Sequence, residues 1–299
     1  MGINVDTYLT MSHATLKRLA KGYGVKGTIL GEPLSNPKVA KNTLFNGVFT
    51  WTLNLAPAKS SGYQVCAHAT AGCEPACLDT AGNPLYLKAK KAARMARTVL
   101  FFEDRPLFVA LLVKEMLAAE RKALKAGMAT AYRPNTTSDI PWEKYKVLYK
   151  GVRMSIADIM HDTAPLAKLY DYTKYPDRNV NTEFYTLTFS LAENNDREAL
   201  ACLKRGINVA VVFDTKRGQP LPDKYTIYGE EFPLIDGDLT DYRPDDVTPR
   251  IVGLRAKGKA IGDTSGFVRP ANPTHINRVL PLEQGAQVMM PMHWGFRSA

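Results

Sequence analysis

The chain has 299 residues, 45% of them hydrophobic and 23% charged, with a formal net charge of +10. This composition supports a large buried core and excludes a disordered chain, and no stretch approaches the roughly 18 consecutive apolar residues of a membrane span. The excess of Lys and Arg favours anionic partners, and the opening Met1-Gly-Ile-Asn-Val5 lacks the basic and apolar regions of a secretion signal, so a soluble cytosolic protein is expected.

Residues 1–43 are punctuated by Gly, Pro and Asn and predict an irregular segment packed on the core, with one short amphipathic helix around Leu16–Leu19. From Leu44 to Leu55, β-branched and aromatic residues with late alternation predict a strand. Pro84–Arg97 and Arg105–Lys125 predict helices. In the second, Leu107, Leu111, Leu112, Met116 and Leu117 recur at helical spacing, Pro106 fits the first turn and Gly127 the end. Ala129–Tyr132 reads as a strand, Ser155–Ala164 as a helix, and Leu166–Tyr172 and Phe184–Phe189 as strands. Asp196–Arg205 is a helix closed by Gly206, Ile207–Phe213 a buried strand, and Ile251–Arg255 a last strand between long loops. Alternating strands and helices imply parallel pairing through crossovers. The expected architecture is one α/β domain over residues 44–299, a full or partial parallel barrel of TIM-like form.

Three of the four cysteines, Cys66, Cys73 and Cys77, fall in one loop after the first strand. Thiols gathered so closely in a long chain without secretion features read as metal ligands rather than as disulfide partners. Three thiolates do not complete a tetrahedral zinc site, so zinc needs a further ligand such as His68. A four-iron four-sulfur cluster (4Fe-4S) held by three cysteines instead leaves one iron open. Three packed thiols without metal are the remaining alternative. Cys202 lies among Ala199, Leu200 and Leu203 and reads as a buried apolar-like residue. The small residues Ala67, Ala69, Ala71, Gly72 and Ala76 let the loop wrap closely around a bulky group. The loop's place after an early strand resembles the layout of radical S-adenosylmethionine enzymes. That resemblance admits S-adenosylmethionine as a cosubstrate, although the six and then three residues between the cysteines depart from their usual spacing.

Ligand crevices of parallel sheets lie beyond the carboxyl ends of the strands, so the polar residues there are the candidate site. Asp139, Asp171, Lys174 and Asp214 are candidates for acid, base or orienting roles. Arg133, Asn135, Ser138, Ser190, Arg255 and Lys257 are candidates for holding an anionic substrate. Each also has an ordinary reading as a cap or turn residue. Lys88–Arg97, basic with little acidic compensation, is either a solvated helix face or a contact for nucleic acid.

Several segments together are similar to the phage gene-product-88 family. These are Asn54-Leu-Ala-Pro57, Cys66 to Leu78, Thr80-Ala-Gly82, Arg133 to Trp142, Tyr170-Asp-Tyr-Thr-Lys174, Leu187-Thr-Phe-Ser190, Asp236-Gly-Asp238 and Gly253 to Gly258. The resemblance implies a phage origin and the cytoplasm of an infected bacterium. Some members of that family carry a rolling-circle replication label. Initiators of that kind need two histidines separated by one apolar residue, a spacing that His13, His68, His161, His275 and His293 do not provide. The expected protein is an iron-sulfur enzyme acting on an anionic small molecule or nucleic acid. The alternative is a zinc-containing nucleic-acid-binding protein associated with replication.

Overall fold

Local capping starts three helices in the N-terminal segment, where one was expected, and irregular backbone links them. Asn4, Ser12 and Asn36 each accept a backbone N–H in a first turn, starting α1 (Val5–Leu9), α2 (His13–Lys21) and α3 (Pro37–Asn46) around a two-residue strand, β1 (Leu30–Gly31). Gly47 ends α3 with φ +67°, so the strand expected from Leu44 begins only at β2 (Val48–Leu53). The computed structural model describes residues 4–77 and 84–271, leaving out the side chains of 84–87. Leu78, the Thr80–Gly82 motif, His275 and His293 therefore lie outside the described residues.

Two long helices follow, α4 (Pro84–Glu103) and α5 (Arg105–Ala126). Asp104 stands between them and caps α5, accepting the Leu107 N–H at 3.0 Å, and Gly127 at φ +63° closes it. The chain continues through β3 (Ala129–Arg133), a hairpin of β4 (Lys146–Tyr149) and β5 (Val152–Ser155), α6 (Ile156–Thr163), β6 (Lys168–Thr173) and β7 (Tyr185–Ser190). It ends with α7 (Asp196–Lys204), β8 (Val209–Phe213), β9 (Lys224–Ile227), β10 (Glu230–Asp236), β11 (Ile251–Arg255) and β12 (Val268–Arg269).

The main sheet runs β1-β2-β3-β6-β7-β8-β11-β10-β9 and is parallel from β2 to β10, with an antiparallel strand at each end. The expected parallel α/β arrangement is present, but among the described residues the ladder is open and does not close into a barrel. β7 pairs with β8 only at Val209 and Ala210, and beyond that point β12 takes its place against Val212 and Phe213. The carboxyl ends of β7 and β8 therefore part. Among the described residues no helix is long and apolar enough to cross a membrane.

Because side chains alternate along each strand, the register fixes two faces on β2, β3, β6 and β7. One face carries Trp51, Tyr132, Leu169 and Tyr185 and packs with α5 and the N-terminal helices in the main core. The other carries Thr50, Thr52, Arg133, Tyr170, Tyr172 and Thr188, whereas buried parallel strands are ordinarily apolar on both sides. Asn42 of α3 covers it, its amide donating to Thr50 Oγ1 at 2.9 Å and to Tyr170 OH at 3.1 Å. The loop carrying Asp241 and Arg243 completes the cover, with the Asp241 N–H donating to Asn42 Oδ1 at 2.8 Å.

Candidate functional site

The cysteine loop is wound rather than extended. Its backbone closes turns from Ala69 N to Cys66 O, Glu74 N to Thr70 O, Ala76 N to Gly72 O and Cys77 N to Glu74 O. Residues four apart on such turns share one side, which groups Cys73 with Cys77. Cys66 Sγ lies 3.9 Å from the Thr137 carbonyl. Burial pushes the Cys66 thiol up to about 12, and the charges of Asp139, Cys77 and Cys73 add smaller upward contributions.

Two carboxylates tie this loop to the strand ends. Asp139 donates its N–H to Val65 O at 2.8 Å, next to Cys66, and accepts Thr173 Oγ1–H and the Lys174 N–H, each at 2.7 Å. Glu193, just past β7, accepts the Gly72 N–H at 2.7 Å and the Thr70 hydroxyl at 2.8 Å. These donors and Lys174 hold the Glu193 carboxyl below its ordinary range although burial opposes them. The Lys174 ammonium lies 5.6 Å from the centre of the Phe267 ring. The site thus spans the carboxyl ends of β3, β6 and β7 where β8 diverges. Of the four expected acid–base candidates, only Asp139 and Lys174 are here.

The others are placed elsewhere. Asp171 lies within β6, on the helix-packed face and fully buried, where it accepts the Asn135 N–H and amide at 2.7 Å each and the Tyr185 hydroxyl. Burial pushes its carboxyl up to about 6; Arg178, whose Nη1 is 3.9 Å away, opposes this, but the guanidinium donates to Glu143 instead. Asn135 also holds the bend after β3, accepting from Ser138 Oγ at 2.8 Å. Asp214 accepts the Ala271 N–H at 2.9 Å at the end of β8. His68, the possible fourth zinc ligand, sets its ring edge-on to Tyr175 with centroids 4.0 Å apart. Cys202 is buried in α7 beside Ala199 and Leu203, away from the other cysteines, as its apolar neighbours predict.

The expected anion-binding cations are spent internally to different degrees. Arg255 donates to Asp236 Oδ1 at 2.9 Å and to the Gln219 carbonyl at 2.7 Å, while Lys257 pairs with Asp238. Arg133 points into the polar face, where its Nη1 meets both oxygens of Asp241, at 2.6 and 2.8 Å. Burial works to raise the Asp241 carboxyl, yet Arg133 and then Lys38, 3.3 Å away, hold it at about 2. The Arg133 guanidinium also lies 4.8 Å from the centre of the Tyr172 ring. Arg133 Nε and the Tyr172 hydroxyl are buried and meet no hydrogen-bond partner. Ser190 ends β7 on this same face.

Sequence reading missed Asp241 as the partner of Arg133, since 108 residues separate them. Glu193 is not among the candidate site residues expected from the sequence, since its partner Gly72 lies 121 residues away. In donor chemistry the three thiols suit a soft metal or a cluster. Among the described residues, however, no group of His, Cys, Asp or Glu side chains stands ready in a ligating arrangement. No curated protein and no solved structure matches the chain. A family model described as Gene product 88 matches residues 27–271, the stretch that runs from just before β1 through the cysteine loop to the end of the described sheet, and on that match the chain belongs to the phage gene product 88 family.

Proposed function

We propose that this protein is a thiolate-metal protein in which Cys66, Cys73 and Cys77 hold an iron-sulfur cluster, and that it acts on an anionic substrate at the carboxyl ends of β3, β6 and β7. One observation carries the reading: the single loop that bears all three cysteines is anchored across those strand ends, at Gly72 by Glu193 and at Val65 by Asp139. The loop would contract around the metal, which its small residues permit. The bound cluster would supply an open iron. The partial-barrel reading of the sheet fits the same placement, because a curved parallel sheet concentrates its chemistry at one end. Lys174, with Asp139 and Glu193 beside it, is a cation placed there. Anaerobic purification of the full chain with iron, sulfide and zinc analysis tests the proposal. About four irons with matching sulfide support it. Colourless protein whose metal content is the same after Cys73→Ala and Cys77→Ala overturns it.

A second reading keeps the thiols on a structural zinc and gives the chain a nucleic-acid-binding role. The exposed Lys88, Lys90 and Lys91, on α4 shortly after the cysteine loop, favour it. It expects binding to a DNA or RNA fragment to weaken steeply with salt, and the Lys88, Lys90 and Lys91 triple alanine variant to flatten that slope by about 2–3.

A further inference from the structure

We infer that Glu193 is the positioning residue of the cysteine loop, setting Cys73 and Cys77 against Cys66 through the backbone of residues 70–73. This inference rests on the metal-site reading for its purpose, but the geometry behind it stands on other contacts. The first turn of the wound segment has N–H groups with no partner inside the turn. Thr70 takes one of them, its hydroxyl oxygen accepting the Cys73 N–H at 3.2 Å. Glu193 takes the next, the Gly72 N–H, and also receives the Thr70 hydroxyl proton, so one carboxylate fixes the direction of both donors. A carboxylate at the start of a helical turn is stabilised there in the same way as one at a helix N-terminus.

The fit is close on the far side as well. A Cβ added at Gly72 would lie 2.8 Å from Glu193 Oε2 and 2.3 Å from Ser265 Oγ. An alanine at residue 72 would have to push aside the Ser265 hydroxyl and the Glu193 carboxylate, so residues 72 and 193 meet at one contact. Asp139 performs the matching task at the other end, joining Val65 to Thr173 and Lys174. The loop is thereby held at two points, one beside Cys66 and one beside Cys73. The spacing of the thiols follows from the distance between two strand ends rather than from the loop itself.

The test uses the full chain and two readouts, alkylation of each cysteine followed by mass spectrometry, and thiolate-to-cobalt charge-transfer absorbance on titration with Co2+ alone. Glu193→Ala and Gly72→Ala are each expected to speed labelling of Cys73 about tenfold while leaving that of buried Cys202 unchanged. Both are expected to weaken cobalt binding about tenfold, as loss of a group supporting a ligand does. Glu193→Gln, which retains an acceptor for the Gly72 N–H, should recover most of both effects, and the Glu193→Ala, Gly72→Ala double variant should be no worse than either single change. Labelling of Cys73 within about twofold of wild type in both alanine variants overturns the inference, with far-UV circular dichroism showing that each chain is folded. Faster Cys73 labelling in a chain that binds no cobalt even as wild type upholds the inference and overturns the metal-site reading.

Discussion

Asp171 and Asp241 are both fully buried against the same four strands, on opposite faces, and their carboxyls are driven in opposite directions. On the helix-packed face Asp171 is served mainly by neutral donors, Asn135 and Tyr185, with the nearest guanidinium nitrogen 3.9 Å away, and is pushed up to about 6. On the polar face Asp241 touches Arg133 directly at 2.6 Å and is held at about 2. Burial costs both groups the same kind of penalty. A guanidinium in contact, joined by the Lys38 ammonium 3.3 Å away, reverses the outcome where a guanidinium a little over an ångström farther does not, because a buried charge needs partners close at hand.

The largest expected effect breaks this contrast at its stronger side. Asp241→Asn leaves Arg133 buried beside a neutral group and is expected to cost about 3–5 kcal/mol in urea unfolding. Acid titration sharpens the contrast next. Asp241 has a folded pKa below the unfolded 3.8, so the stability it contributes, about 2 kcal/mol, is complete above pH 3.8 and lost as pH falls through about 2. Asp171 runs the other way: its folded pKa is raised, so its contribution is complete below pH 3.8 and lost as pH rises through about 6. Stability measured against pH should therefore flatten between about 4 and 6 in Asp171→Asn, and between about 2 and 4 in Asp241→Asn. Burial raises Asp246 to about 6 and Glu115 to about 7, so both keep part of the upper slope in either variant.

Smaller effects separate two tyrosines. Tyr185→Phe removes a donor to Asp171 and an acceptor for Arg178, and should cost about 1–2 kcal/mol in the same unfolding experiment. Tyr172→Phe removes a buried hydroxyl with no partner and should change stability by less than about 0.5 kcal/mol, or raise it. Equal losses in the two variants would mean that the polar face is as fully hydrogen-bonded as the other.

Long periodic segments were legible from the residues alone. α4 starts at Pro84 as expected but runs past Arg97 to Glu103, α5 starts and stops where Pro106 and Gly127 mark it, and the alternation in Tyr185-Thr-Leu-Thr-Phe-Ser190 separates the two faces of β7. Two hairpins were not. β4–β5 turns through Lys150 and Gly151, and β9–β10 through Tyr228 and Gly229, every one of them at positive φ. Such turns are ordinarily announced by Asn-Gly or Asp-Gly, and a lysine or tyrosine forced into the left-handed region gives no such signal. Asp171 was read as a strand-end residue because β6 was expected to stop at Tyr172. The strand runs to Thr173, and alternation turns Asp171 to the helix-packed face. The cysteine cluster and Asp139 stood out in the sequence, but the anchoring role of Asp139 and Glu193 did not, since it depends largely on backbone N–H groups that every residue carries.

Both outermost strands of the main sheet run against their neighbours and are short. β1 spans two residues, while β9 carries Lys224 paired with Glu231 across its hairpin. An outer strand of a long parallel sheet would offer another molecule a row of open N–H and C=O groups on which to add itself. Here an approaching chain meets too little backbone on one flank and fixed charges on the other. Among the described residues, strand addition is thus discouraged at both flanks of the main sheet.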